Sequence, residues 1–78
     1  RRGTVSAIAL VPVCGEEKRL EYTVRALERS RYEEGGFSRI VIVDCGLAGE
    51  ARRVAELLCR DDLDVALCRP GELPDILT

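Results

Sequence analysis

Thiols lead the short set of residues in this chain that could do chemistry. Cysteines stand at positions 14, 45, 59 and 68, there is no histidine, and Lys18 is the only lysine. No two cysteines form a Cys-x-x-Cys, which argues against a zinc ribbon, a zinc finger or a thioredoxin-type redox motif. Cys14, Cys45 and Cys68 each close an apolar run that reads as a strand. Neighbouring strands lie about 4.8 Å apart, so three thiolates at three strand ends could gather around a soft metal. No fourth ligand is evident, and the simpler reading is that a small apolar residue finishes each strand. Two disulfides in a secreted protein are the other possibility for four cysteines in a short chain. Their apolar neighbours favour reduced, mainly structural thiols instead. Cys59, riding inside a helix, is expected to be the least reactive.

Carboxylates come next. Asp44 ends the run Ile40-Val41-Ile42-Val43. An aspartate there can accept hydrogen bonds from a nucleobase or ribose, or cap the following turn through its own side chain. Spacing alone favours the cap. The turn after the first apolar run is Cys14-Gly15-Glu16-Glu17-Lys18. It has neither the Gly-x-Gly-x-x-Gly of a dinucleotide fold nor the Gly-Lys-Ser/Thr of a P-loop. Two carboxylates at the opening of the next helix also oppose phosphate, which helix N-termini otherwise attract. Without histidine, no residue pair makes a nucleophile and a base. The expectation is therefore no catalytic residue, no metal ligand set and no cofactor.

The elements that must carry these residues follow from hydrophobic period. Val5 to Cys14 is short, β-branched and nearly continuous in apolar character, as suits a strand covered on both faces in a parallel sheet. Pro12 marks its end or an unpaired side. Gly15 breaks the run, and Glu16-Glu17 is expected to open a helix whose acidic first turn matches the dipole. Leu20, Thr23, Val24 and Leu27 make its inner stripe. Charges fill the other face, with pairs such as Glu21–Arg25. The aromatics Tyr22, Tyr32 and Phe37 are expected to pack this helix against the sheet. Glu33 to Gly36 is a turn, and Ile40–Val43 is a second buried strand. Ala48 to Arg60 is a second helix with Ala51, Val54, Ala55 and Leu58 inside. Val65–Cys68 is a third strand, stopped by Pro70-Gly71, and Glu72–Leu77 is a short last helix. Such alternation gives right-handed parallel units. The expected fold is α/β, β-α-β-α-β, a Rossmann-like half with strand order 3-2-1. Strand two would be central, and all three carboxyl ends would share the edge where open α/β sheets bind ligands.

Size and charge set limits on what such a fold can do. The chain has 78 residues, one domain's worth, with residues 1–4 expected as a disordered flank. At this length a stability of roughly 4–12 kcal/mol is expected. A formal net charge of −2 leaves no basic footprint for nucleic acid. One Phe, two Tyr and no Trp leave no stacking platform for bases. With no Met in the chain, a further segment upstream is expected. No stretch is long and apolar enough to span a bilayer. Arg1-Arg2 matches the cytoplasmic flank of a transmembrane helix and equally an arbitrary boundary. The expected location is cytoplasmic or the cytoplasmic face of a membrane, reached only through that upstream segment.

The stretch from Ala7 through Pro12-Val13-Cys14-Gly15-Glu16-Glu17 to Glu21 resembles the opening of inverting family-2 glycosyltransferases, whose first strand typically ends Pro-Val-Tyr-Asn-Glu-Glu. Val24 to Tyr32 looks like that family's first helix, and Ile40 to Gly46 like its second strand, which normally ends Val-Asp-Asp-Gly-Ser. The likeness covers roughly residues 5–60. It implies the nucleotide-binding half of the GT-A fold, with Pro12, Val13 and Glu16 lining the nucleotide pocket and Asp44 facing the uracil. The departures are Cys14-Gly15 in place of Tyr-Asn, Cys45 in place of the second Asp, and Leu47-Ala48-Gly49 in place of Ser-Thr-Asp. By the resemblance, the chain is expected to stop before the family's Asp-x-Asp that holds metal and diphosphate, and before its catalytic base. Without a metal, little stabilises a leaving diphosphate. The resemblance thus implies ancestry without transferase activity.

Three functions are expected from this reading. The first is a non-catalytic glycosyltransferase-like domain acting through self-association or a partner. The second is a module that binds a nucleotide or nucleotide-sugar weakly. The third is the N-terminal fragment of a larger glycosyltransferase. The first strand lacks the neighbour it would have in a full enzyme, and no charge interrupts Val5 to Val13. Exposed apolar edges are templates for pairing. A homodimer through this edge is therefore expected.

Overall fold

The computed structural model describes residues 7–77. It runs β1 (Ile8–Gly15), α1 (Leu20–Glu34), β2 (Arg39–Leu47), α2 (Gly49–Asp61) and β3 (Val65–Cys68). A 3-10 turn (Pro70–Glu72) then leads into α3 (Leu73–Leu77). The flank expected at 1–4 and the first two residues of the expected Val5 strand lie outside the described residues. The protein is α/β, with one parallel sheet in the order β1-β2-β3. The central place of β2 follows from its sequence. Ile40, Val41, Ile42 and Val43 are all buried, as a strand covered on both faces must be.

The two sheet faces differ. On one, Val11 and Val13 of β1 and Ile40 and Ile42 of β2 meet Leu20 and Val24 of α1 and Ala51, Ala55 and Leu58 of α2. This is the main core, and it is built by the i, i+3, i+4 stripes of two amphipathic helices. On the other, Val41, Val43 and Cys68 form a smaller cluster with Leu73 and Ile76 of α3, and with Ile8. The short α3 covers the β2–β3 side of this face. Leu10 of β1 remains 44% exposed.

Two expectations are corrected. The first helix begins at Leu20, after Glu16-Glu17. The Glu17 carboxylate accepts the Arg19 backbone N–H at 3.0 Å, and this local turn holds residues 17–19 out of the helix. The aromatics do not act together either. Phe37 packs against the main core, but Tyr22 and Tyr32 are exposed. Tyr22 lies two residues from Leu20 and Val24, on the face turned away from their stripe, and it carries the Arg19 guanidinium over its ring at 5.1 Å.

Ion pairs tie the end of the domain opposite the strand carboxyl termini. Arg31 donates to the Ser38 carbonyl at 3.1 Å and reaches Asp62 at 3.4 Å and Asp64 at 3.0 Å. One side chain of α1 thereby fastens the entry to β2 and the loop before β3. Arg25 reaches Glu28 at 3.0 Å and Asp61 at 3.4 Å, joining α1 to the end of α2. Burial, aided by the nearby Asp62, raises the Glu28 carboxyl above its usual range. Asp62 is lowered by hydrogen bonding, first with Glu28 and then with the Asp64 backbone N–H.

Candidate functional site at the strand ends

The carboxyl edge of the sheet is shaped by one aspartate. Asp44 is 8% exposed. Its Oδ1 accepts the backbone N–H groups of Gly46 at 2.8 Å and Leu47 at 2.7 Å. Its Oδ2 lies 3.4 Å from the Arg52 guanidinium, which also donates to the Leu47 carbonyl at 2.8 Å. These bonds hold its carboxyl below the ordinary range, the Leu47 N–H foremost and the Gly46 N–H next. The cap reading of Asp44 thus describes the geometry, and both N–H groups are fixed by the side chain that ends the strand.

This cap makes a bulge. Val13 pairs with Asp44, but Gly15 pairs with Leu47, so two residues of β2, Cys45 and Gly46, oppose the single Cys14. The core shows the same slip: Ile40, Ile42 and then Leu47 face the helices, a step of two followed by a step of five. Gly46 carries a φ of +121° within the bulge, a backbone conformation that glycine accommodates without a Cβ clash. The slip returns Leu47 to the core, from which α2 starts with its Ala48 N–H bonded to the Gly15 carbonyl at 3.0 Å.

Beside the bulge, a cleft of about 310 Å³ opens between the starts of α1 and α2. Its floor is Leu20, Ala51 and Val54, and its walls carry Glu16, Glu17, Glu21 and Glu50 with Lys18. Four carboxylates face one ammonium, so the local field favours cations over phosphates. Glu16 also packs over the first turn of α2. A methyl group on Gly49, whose φ is +59°, would lie 3.3 Å from the Glu16 Cδ. Gly49 therefore serves both the turn and the close approach.

The four residues implied by the resemblance are spread across this edge. Glu16 lines the cleft, Val13 is buried in the main core, and Pro12 is exposed on β1. Asp44 is bound up in the bulge. The structure brings only Glu16 to the cleft. Glu21, Glu50 and Arg52 were missed in the sequence. Asp44-x-Gly46 followed by an apolar Leu47 out of phase with Ile40 and Ile42 was the available signal for the bulge, and hence for an arginine one turn into α2.

The thiols divide into two classes. Cys14 and Cys45 are exposed, Cys59 is half-buried and Cys68 is buried, and all four are free. Burial pushes both the Cys59 and Cys68 thiols up, with Glu56 adding to the first and Glu72 to the second. Cys68 is the more enclosed by surface exposure: the short β3 is roofed by α3, whereas α2 leaves Cys59 partly open. Among the described residues no group of three or more His, Cys, Asp or Glu side chains is placed to hold a metal. No helix among them is long and apolar enough to cross a membrane. Comparison of the chain with protein-family models, curated proteins and solved structures finds no match.

Proposed function

We propose that this domain acts by association rather than catalysis, pairing the free edge of β1 with β1 of a second copy across a two-fold axis. The observation that carries the reading is the position of β1. Among the described residues its only strand neighbour is β2, and it has no charged side chain between Ile8 and Gly15. Its outer N–H and C=O groups are a template for another strand. A two-fold axis makes the paired edges antiparallel and self-complementary. Leu10, exposed on the sheet face that α3 leaves open, would then lie along the seam of a six-stranded sheet. The expected cytoplasmic location belongs to the same reading.

A glycosyltransferase-like, Rossmann-like ancestry belongs to the same proposal. It is supported by Pro12-Val13 and Glu16-Glu17 after the first strand and by Asp44-x-Gly46 after the second. Retained nucleotide binding is the weaker alternative. The cleft beside the strand ends is lined by four carboxylates, and one Asp44 oxygen already accepts two backbone N–H groups.

Sedimentation equilibrium at micromolar concentration tests the association. The wild-type chain is expected to sediment as a dimer of 8.6 kDa protomers, and Leu10→Lys as a folded monomer with an unchanged circular-dichroism spectrum. A monomeric wild type, or a dimer indifferent to the lysine, overturns the proposal.

A further inference from the structure

We propose that Cys14 and Cys45 form a dithiol that closes to an intrachain disulfide by exchange with a low-molecular-weight disulfide such as glutathione disulfide. The bulge supplies the juxtaposition. Because Val13 pairs with Asp44 and Gly15 with Leu47, Cys14 falls in the register gap opposite Cys45-Gly46. Adjacent strands lie about 4.8 Å apart, inside the Cα separation of roughly 4.4–6.8 Å that a disulfide spans. Direction agrees with distance. Val13 faces the helices, so Cys14 projects to the other side of the sheet. Asp44 reaches Arg52 of α2 on the helix side, so Cys45 projects away from it as well. These two are also the exposed thiols of the four, Cys59 being half-buried and Cys68 buried. The proposal rests on the bulge and is independent of the association through β1.

The exchange balances without a further reactant. One thiolate attacks a sulfur of glutathione disulfide, breaking its S–S bond and releasing one glutathione thiolate. The second cysteine, as thiolate, attacks the protein sulfur of the mixed disulfide and releases the second glutathione. The protein loses two electrons and two protons, and the two glutathione thiolates take up the protons. The link ties the carboxyl ends of β1 and β2 beside the cleft and across the Asp44 bulge.

Intact-mass spectrometry of the native wild-type chain after incubation with glutathione disulfide, followed by alkylation and peptide mapping, tests the inference. The expected product is a single chain lighter by two hydrogens, with a Cys14–Cys45 linked peptide and two fewer sites for alkylation after unfolding. Cys14→Ser should instead retain one glutathione on Cys45, because the resolving thiol is gone. A wild type that keeps glutathione on both cysteines, links either to Cys68, or forms only interchain disulfides overturns the proposal. Because the wild-type product alone decides the question, the outcome does not depend on the variant's folding.

Discussion

Leu58→Ala separates the core that holds the fold from the surface that does not. Leu58 is 2% exposed on the inner face of α2, within the main cluster. Truncating it removes the transfer energy of the lost carbons and leaves a cavity between α2 and the sheet. Leucine-to-alanine changes at such sites cost about 2–5 kcal/mol, and about 3 kcal/mol is expected here because α2 is hemmed in by β2, β3 and α1. Against a total stability of roughly 4–12 kcal/mol for a chain of this length, that is a quarter to three quarters of the margin. The corresponding fall in Tm is about 12–24 °C, at 4–8 °C per kcal/mol for a domain of this size. Leu63→Ala is the control: Leu63 is 92% exposed in the loop before β3, and its loss should stay within about 0.5 kcal/mol. Urea titration followed by circular dichroism, at one fixed protein concentration so that association does not shift the baseline, measures both. Equal midpoints for the two variants, at equal slope, would refute the assignment of the stabilising core to the helix face.

Two further outcomes follow from the polar ties at the two ends of the domain. Arg31→Met removes a bond to the Ser38 carbonyl and the pairs with Asp62 and Asp64. It should cost about 1–2 kcal/mol, because charged hydrogen bonds are worth more than neutral ones but Asp64 is half open to solvent. A double-mutant cycle with Asp62→Asn should show less than additive loss, and full additivity would dissolve the supposed tie. Asp44→Asn keeps an acceptor but removes the charge. Since the folded-state pKa of Asp44 is lowered, its charge contributes stability above the unfolded value of about 3.9. That contribution is lost as pH falls through the folded value. The wild type should therefore exceed the variant at neutral pH and converge with it in acid; a gap independent of pH would count against the charge.

The elements were legible because their periods were clean. Leu20, Val24 and Leu27, and Ala51, Ala55 and Leu58, announce two helices that cover one face, and Ile40 to Val43 announces a strand buried on both. What was not legible depended on side chains that reach back to their own backbone. Glu17 accepting the Arg19 N–H delayed α1 to Leu20, although the acidic pair looked like a first helical turn. Burial ranks were equally hidden: Cys68 is shielded by α3, a contact between distant parts of the chain that no local window contains.

Asp44 shows how the same residue can invite two readings that the geometry then weighs. At the end of a central strand an aspartate can serve a ligand or its own turn. Its Oδ1 accepts the two N–H groups that form the bulge, and its Oδ2 faces Arg52 at 3.4 Å, so a ligand drawing on this carboxylate meets Oδ2 beside that guanidinium. The bulge in turn sets the phase of Leu47 in the core and the start of α2. A phosphate-bearing ligand there would also meet a cleft whose walls carry four carboxylates. The same slip of register that engages Asp44 in the bulge puts Cys45 and Gly46 opposite Cys14. Under the dithiol proposal the reactive groups of this edge are the thiols, and the carboxylate at the end of β2 positions them.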